Sequence, residues 1–262
     1  MAMTVLLEER LEDGRIAVLT MNRPAALNAL NTEMAQALYE AMERLSEEKA
    51  VRVIILTGAG EKAFCTGGDF KERNNMTEEE WHRQHRLFQK VARAFRRCPK
   101  PVIAAVNGYA LGGGCELALS CDFVYASHNA AFGLPEVSRG IIPGIGGTQL
   151  ISRFLPRGMA LEMLLTGRHL PAEEARQWGM VNRVVPLAEL LPAVLATAKQ
   201  IAANSPHAVR MAKRAFVLGV DHPLEEGIEI ALESYHRAIS HPDRIEGTRA
   251  FVEKRPPRYM DA

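Results

Sequence analysis

The sequence predicts an α/β fold that gives way to helices in its second half. Up to about Gly147, short apolar or β-branched runs alternate with amphipathic helical stretches, the pattern of packed βα units. Beyond Gly147 only Val181–Val185 keeps a strand pattern, and the remaining apolar residues recur at helical spacing. Between these regimes lies residues 102–148, VIAAVNGYALGGGCELALSCDFVYASHNAAFGLPEVSRGIIPGIGGT, which holds two glycine-rich turns and two carboxylates, Glu116 and Glu136.

The elements follow in order. Val5–Leu11 and Arg15–Met21 read as strands, and Asp13-Gly14 between them signals a hairpin. Asn22-Arg23-Pro24 ends the second strand, because proline cannot donate to a ladder. Asn31-Thr32-Glu33 opens a helix to about Ser46, with Met34, Leu38, Met42 and Leu45 on one face. Val51–Leu56 is a mostly β-branched run, hence a buried strand, and Gly58–Gly68 reads as a loop. Thr77-Glu78-Glu79-Glu80 starts a long helix to about Arg97. Pro101–Val106 is a buried strand, Gly112–Ser120 a short helix entered through glycines, and Asp122–Ala126 a strand. Helices are then expected over Thr148–Phe154, Gly158–Leu165, Pro171–Trp178, Leu187–Ala203, Pro206–Leu218, Leu224–Ile239 and His241–Glu253. No linker rich in Pro, Gly or Ser separates the halves, so the helical part should pack on the first or contact other subunits.

With 47% hydrophobic residues, 262 residues suffice for a sizeable core. A net charge of +1 gives no overall field toward nucleic acid or membrane. Cys65, Cys98, Cys115 and Cys121 show no CxxC or metal-site spacing and read as buried thiols of a cytoplasmic protein. The opening MAMTVLLEERLEDG carries acids early and does not read as a targeting peptide. No apolar run reaches the roughly 18 residues of a membrane helix.

The candidate chemistry lies at the glycines. Gly112-Gly113-Gly114 follows a strand and opens a helix, so its free N–H groups offer an anion site, or only a tight turn. Gly67-Gly68 can bring a second N–H to the same point, and two converging donors form an oxyanion hole for an enolate. Glu116 stands in apolar company, which pushes a carboxyl pKa upward; its bland role is a helix N-terminal charge. Glu136 follows Pro135 in a loop, where a solvated carboxylate is the ordinary alternative. Two carboxylates in one pocket can divide acid and base roles. Gly58-Ala59-Gly60-Glu61-Lys62-Ala63 matches a dinucleotide fingerprint, but the helix that motif needs does not follow. His82 and His85 have ligand-like spacing, yet with Arg83, Arg86, Arg93, Arg96 and Arg97 they read as a solvated basic face, nucleic-acid binding being the alternative.

Several stretches together resemble the enoyl-CoA hydratase/isomerase (crotonase) family, most closely its hydratases. They are Asn22-Arg23-Pro24 with Leu27-Asn28-Ala29-Leu30; Ala63 to Lys71; Asn107 to Leu117; Phe132 to Glu136; Ile142-Pro143-Gly144 with Gly146 to Gln149; and Phe251 to Arg255. The resemblance implies a crotonase-like spiral of ββα units over 1–195 and a helical C-terminal trimerisation region over 196–262. It implies that Gly68 and Gly113 supply the oxyanion-hole N–H groups. Glu116 and Glu136 match the catalytic glutamates that add water at C3 and a proton at C2 of a 2-enoyl-CoA. The thioester contacts implied are Ala26, Leu27, Ala63, Thr66, Gly68, Asp69, Phe70, Lys71 and Gly113, with Phe251 and Lys254 reaching the site of a neighbouring subunit. It implies no cofactor and no metal, CoA being part of the substrate, and a homotrimer or a hexamer of two trimers. Gly68 departs from the alanine usual at that position, and Ala25 from a lysine found in many relatives. A double-bond isomerase, a branched-chain or carnitinyl-CoA hydratase, a hydrolase and an RNA-binding member are the alternatives; isomerases often keep one of the two glutamates.

Overall fold

The computed structural model describes residues 4–260; residues 1–3, part of the opening segment read for targeting, and residues 261–262, at the end of the helical C-terminal region, lie outside it. Ten strands and eleven α-helices are seen among the described residues. Six strands form the main sheet: β1 (Leu6–Leu11), β2 (Ile16–Met21), β3 (Val53–Gly58), β5 (Val102–Val106), β7 (Phe123–Ser127) and β10 (Arg183–Val185), adjacent in that order. Only β1 runs antiparallel to its neighbour, pairing Leu11 with Ile16 across a turn whose Glu12, Asp13 and Gly14 all have positive φ. The other strands are parallel.

Parallel strands are covered on both faces, and this explains their unbroken apolar runs. Ala17, Leu19, Ile54, Leu56, Val102 and Ala104 point to one face, with α1 (Thr32–Glu47) and α3 (Glu78–Arg97) contributing to the same core. Ile16, Val18, Val53, Ile55, Ile103 and Ala105 point to the other, beneath Leu190, Val194, Ala198 and Ala202 of α8 (Leu187–Ala202). The boundary drawn at 195 therefore falls inside a helix that covers the sheet.

A second sheet, not foreseen from the sequence, has four strands of three residues each: β4 (Ala63–Cys65), β6 (Tyr109–Leu111), β8 (Ala131–Gly133) and β9 (His169–Pro171). The stretch Gly58–Gly68, read as loop, thus carries a strand. Two buried asparagines pin its approach. Asn28 Nδ2 donates to the Ala59 and Ala63 carbonyls at 3.0 and 2.7 Å, and Asn107 Nδ2 donates to those of Gly58 and Gly60 at 2.8 and 2.7 Å. A one-turn helix, α2 (Phe70–Arg73), was also unforeseen; Asp69 caps it by accepting from the Lys71 and Glu72 N–H groups.

The short helix α4 (Gly113–Ala118) joins β6 toward β7. α5 (Gly147–Phe154), α6 (Arg157–Thr166) and α7 (Ala172–Gln177) complete the core-side helices. Past α8, α9 (Pro206–Gly219) and α10 (Leu224–Ile239) pack as a hairpin, followed by α11 (Asp243–Val252). The hairpin closes tightly enough that a Cβ on Gly227 would lie 2.8 Å from the Gly219 carbonyl oxygen. These helices bury little of their own apolar surface: Phe216, Val220, Leu224, Phe251 and Val252 are all exposed. Lys213 ties α9 to the core by donating to Asp122 Oδ2 and the Lys100 carbonyl at 2.6 and 2.8 Å. No helix among the described residues is long and apolar enough to cross a membrane.

Candidate active site

Two glycine turns meet where the small sheet abuts α4. Gly67, with φ +86°, brings its turn against the first turn of α4: a Cβ on it would come within 3.0 Å of Gly113 N and of the Leu111 carbonyl oxygen. A Cβ on Gly113 would lie 3.9 Å from Gly68 N. Leu30 brackets Gly68 by donating to the Gly67 carbonyl and accepting from Asp69 N–H, each at 2.8 Å, which leaves Gly68 N–H out of the ladder. Gly113 is the first residue of its helix, so its N–H has no intrahelical acceptor. Neither N–H has an acceptor among the described residues. The sequence expectation of two neighbouring donors thus has a geometric counterpart.

Glu116 sits one turn into α4 and is buried, 2% exposed. Its Oε1 accepts from Ile145 N–H at 2.9 Å and Gly147 N–H at 2.6 Å. Burial raises its pKa, while those backbone donors oppose the rise. This carboxylate is not a solvated N-terminal charge; a third glycine turn, Gly144–Gly147, grips it from the side. Gly147 must be glycine there, since a Cβ would stand 2.9 Å from Glu116 Cγ. The gripping turn is braced in its own right. His85 Nε2 lies 2.8 Å from the Gly144 carbonyl oxygen, and Arg96 donates to the Ile145 carbonyl at 3.1 Å.

Those two contacts revise part of the basic face expected on α3. Arg83, Arg86, Arg93 and Arg97 are exposed as expected, but Arg96 and His85 turn inward to the turn that holds Glu116. His82 instead pairs with Glu78 at 3.7 Å on the surface, so the two histidines do not converge on a shared ligand. Helical spacing defines a face; it does not show which long side chains near its edge fold back.

Glu136 lies in a 3-10 turn, Pro135–Arg139, and is also buried, at 9% exposure. The solvated-loop alternative does not hold. Its Oε2 has no hydrogen-bond partner, and burial pushes its pKa up to about 7, with the Glu116 charge adding to the rise. Gly112 lies against it: at φ +51° and ψ −126°, a Cβ there would stand 3.1 Å from Glu136 Oε1. One glycine run therefore serves both features, Gly112 making room for a carboxyl and Gly113 offering an N–H.

A cleft of about 360 Å³ opens between residues 24–28 and 59–63, on the approach to the Gly67-Gly68 turn, lined by Leu27, Asn28, Lys62 and Ala63 among others. Leu27 adopts φ +51° and is partly exposed, and Ala26 precedes it in a 3-10 turn. Thr66 Oγ1 donates to the Leu27 carbonyl at 3.4 Å, joining the two walls. Phe70 and Lys71 are exposed on α2. The Asp69 carboxylate is occupied, capping α2 and pairing with Arg23 at 2.8 Å. Lys62, to which the sequence reading gives no role at the site, lines the cleft with Leu27 and Ala63. Phe251, 86% exposed, and Lys254 lie at the far end of the chain; among the described residues no hydrogen bond or ion pair joins α11 to the 24–30 or 66–71 turns.

The site can thus offer two N–H donors to a carbonyl oxygen, a carboxylate held by backbone donors, and a proton-bearing carboxyl at neutral pH. The model for "Enoyl-CoA hydratase/isomerase" matches residues 12–262. The chain is 42% identical over 251 residues to a short-chain-enoyl-CoA hydratase of Clostridium acetobutylicum, covering 96% of this chain and 95% of that one. It is 41% identical over 249 residues to a crotonyl-CoA hydratase of Syntrophomonas wolfei, at 95% and 96% coverage. The crystal structure of an enoyl-CoA hydratase from Bacillus anthracis superposes with a TM-score of 0.96 at 40% identity, over 98% of this chain and all (100%) of that one.

Proposed function

The chain belongs to the enoyl-CoA hydratase/isomerase family, and from that premise we propose that it is a hydro-lyase adding water across the 2,3 double bond of a 2-enoyl-CoA to give a 3-hydroxyacyl-CoA. The observation that carries this reading is the pairing of two buried carboxylates of different character beside two unengaged N–H groups. Gly68 and Gly113 N–H receive the thioester oxygen and stabilise the charge that develops there as water attacks C3. Glu116, whose ionised form is favoured by Ile145 and Gly147, accepts the proton of the attacking water. Glu136, neutral below about pH 7, delivers a proton to C2. Water enters whole and no electrons change hands, so the reaction as written draws on neither cofactor nor metal.

Ala26, Leu27, Ala63 and Thr66 form the wall for the CoA moiety, and Lys62 and Lys71 supply cations for its phosphates. The same proposal includes cytoplasmic residence and assembly as a homotrimer or a hexamer of two trimers, in which Phe251 and Lys254 complete a neighbour's site. The presence of both glutamates favours hydration over isomerisation. The test is the loss of enoyl-thioester ultraviolet absorbance with crotonyl-CoA and longer or branched homologues. A chain that shifts a 3-enoyl bond to the 2-position but adds no water would sink the reading.

A further inference from the structure

Resting on that reading, we infer that Arg73 is a positioning residue for the oxyanion hole, seated as a cation directly behind the Gly68 donor. Three observations converge. A Cβ built on Gly68 would come within 2.8 Å of Arg73 Cζ and 2.9 Å of its Nη1, so the guanidinium occupies the place of the missing side chain. The guanidinium is held there on the faces of Trp81 and Phe88, at 4.5 and 5.0 Å from the ring centroids, with Nε donating to Gln84 Oε1 at 2.8 Å. No carboxylate forms an ion pair with it among the described residues. Its neighbour Glu72 favours the charge from across the Gln84 amide without pairing with it, its carboxylate accepting from Thr32 N–H at 3.0 Å and Gln84 Nε2 at 2.7 Å.

Ordinary bond lengths and hydrogen-bond reach put this cation on the order of 6 Å from an oxygen bound at Gly68 N–H. At that range, in a site partly shielded from water, a positive charge favours a developing oxyanion over a neutral carbonyl. Burial costs the cation solvation and lowers its pKa, and the nearby Glu72 charge only partly offsets that. Gly68 and Arg73 thus act as a pair. Glycine leaves the seat open, and the guanidinium fixes a turn that glycine would otherwise leave loose.

The experiment compares wild type with Arg73→Met, Arg73→Lys and Gly68→Ala. It measures kcat and KM for crotonyl-CoA, melting temperature, and the absorption red shift of a bound push–pull cinnamoyl-CoA, which reports the pull on the thioester carbonyl. Arg73→Met is expected to lower kcat about 10–100-fold with KM nearly unchanged, and to shrink the red shift. Arg73→Lys should recover part of both. Gly68→Ala, by pushing the guanidinium off its seat, should shrink the red shift in the same direction. Unchanged kcat and red shift in Arg73→Met would overturn the inference. So would equal losses in Met and Lys variants tracking a lowered melting temperature, which would make Arg73 purely structural. A defect confined to acyl chains with an anionic end would also overturn it, since the guanidinium would then be reading substrate. If wild type itself hydrates nothing, the proposed function fails first, and the two failures stay distinct.

Discussion

Glu136 concentrates the residue-scale consequences. Its carboxyl titrates near 4.5 in an unfolded chain and at about 7 in this fold. As the proton donor it should make kcat/KM fall as pH rises through about 7, and Glu136→Gln should flatten that limb while cutting kcat by about 10²–10⁴-fold. The folded-state pKa is raised, so the associated stability is fully present below about 4.5 and is lost as pH rises through about 7. Glu136→Gln should therefore gain on wild type in thermal unfolding between pH 4.5 and 8, by on the order of 1–2 kcal/mol once the carboxyl's partial access to water is allowed for. An equal pH dependence in both proteins would refute this. For Glu116→Gln we expect a comparable kcat loss with saturated acyl-CoA binding preserved, read by competition. Both carboxylates were legible in the sequence because glycine-rich, apolar company is unusual for a glutamate. Arg73 on α2 and His85 and Arg96 on α3 were not, because what they touch is fixed by folded geometry and not by spacing along a helix.

At the scale of elements, the site depends on the small sheet that carries Gly68. Its strands are three residues long, too short for a two-residue period to register, and the stretch Gly58–Gly68 has turn composition. Long periodic elements such as α1, α3 and the parallel strands were legible to within a few residues. What holds the approach to β4 is side-chain amide bonding by Asn28 and Asn107. Asn28→Ala should leave Arg23 N–H and the Ala59 carbonyl unpaired and the Ala63 carbonyl with only a long 3.4 Å bond from Asn107 Nδ2, costing about 2–4 kcal/mol in denaturant unfolding. It should also weaken acyl-CoA binding, since Leu27 and Ala63 line the same cleft. A loss of stability below about 1 kcal/mol would show that the loop is held by other contacts.

The whole molecule divides by what each part buries. The sheet and its covering helices enclose the core, whereas α9 to α11 present apolar side chains outward, Leu224 and Phe251 at 76% and 86% exposure. Covering each such side chain contributes about 1.5–3 kcal/mol, which favours a symmetric oligomer. If the proposed trimer forms, truncation before His241 should break it, as read by light scattering, and raise KM for acyl-CoA, since Phe251 and Lys254, proposed to complete a neighbour's site, go with it. A fully active monomer would overturn this. That helices would dominate the second half was plain from the sequence. That α8 belongs to the sheet while α9 does not was hidden, because both are amphipathic and only the packed partner differs.

The four cysteines give the enzyme a built-in clock. All are buried and unpaired, and burial lifts Cys65 to about 12 and raises Cys115 and Cys121 as well. A thiol so protected reacts with an alkylating reagent only when its surroundings open. Cys65 precedes Gly68 by three residues and Cys115 follows Gly113 by two, so they straddle the two donors. The modification rates of these two thiols, set against those of Cys98 and Cys121 elsewhere in the core, time how often the donor turns part while the rest stays folded. A bound thioester bridging the turns should slow the first pair selectively and leave the second pair's rates where they were.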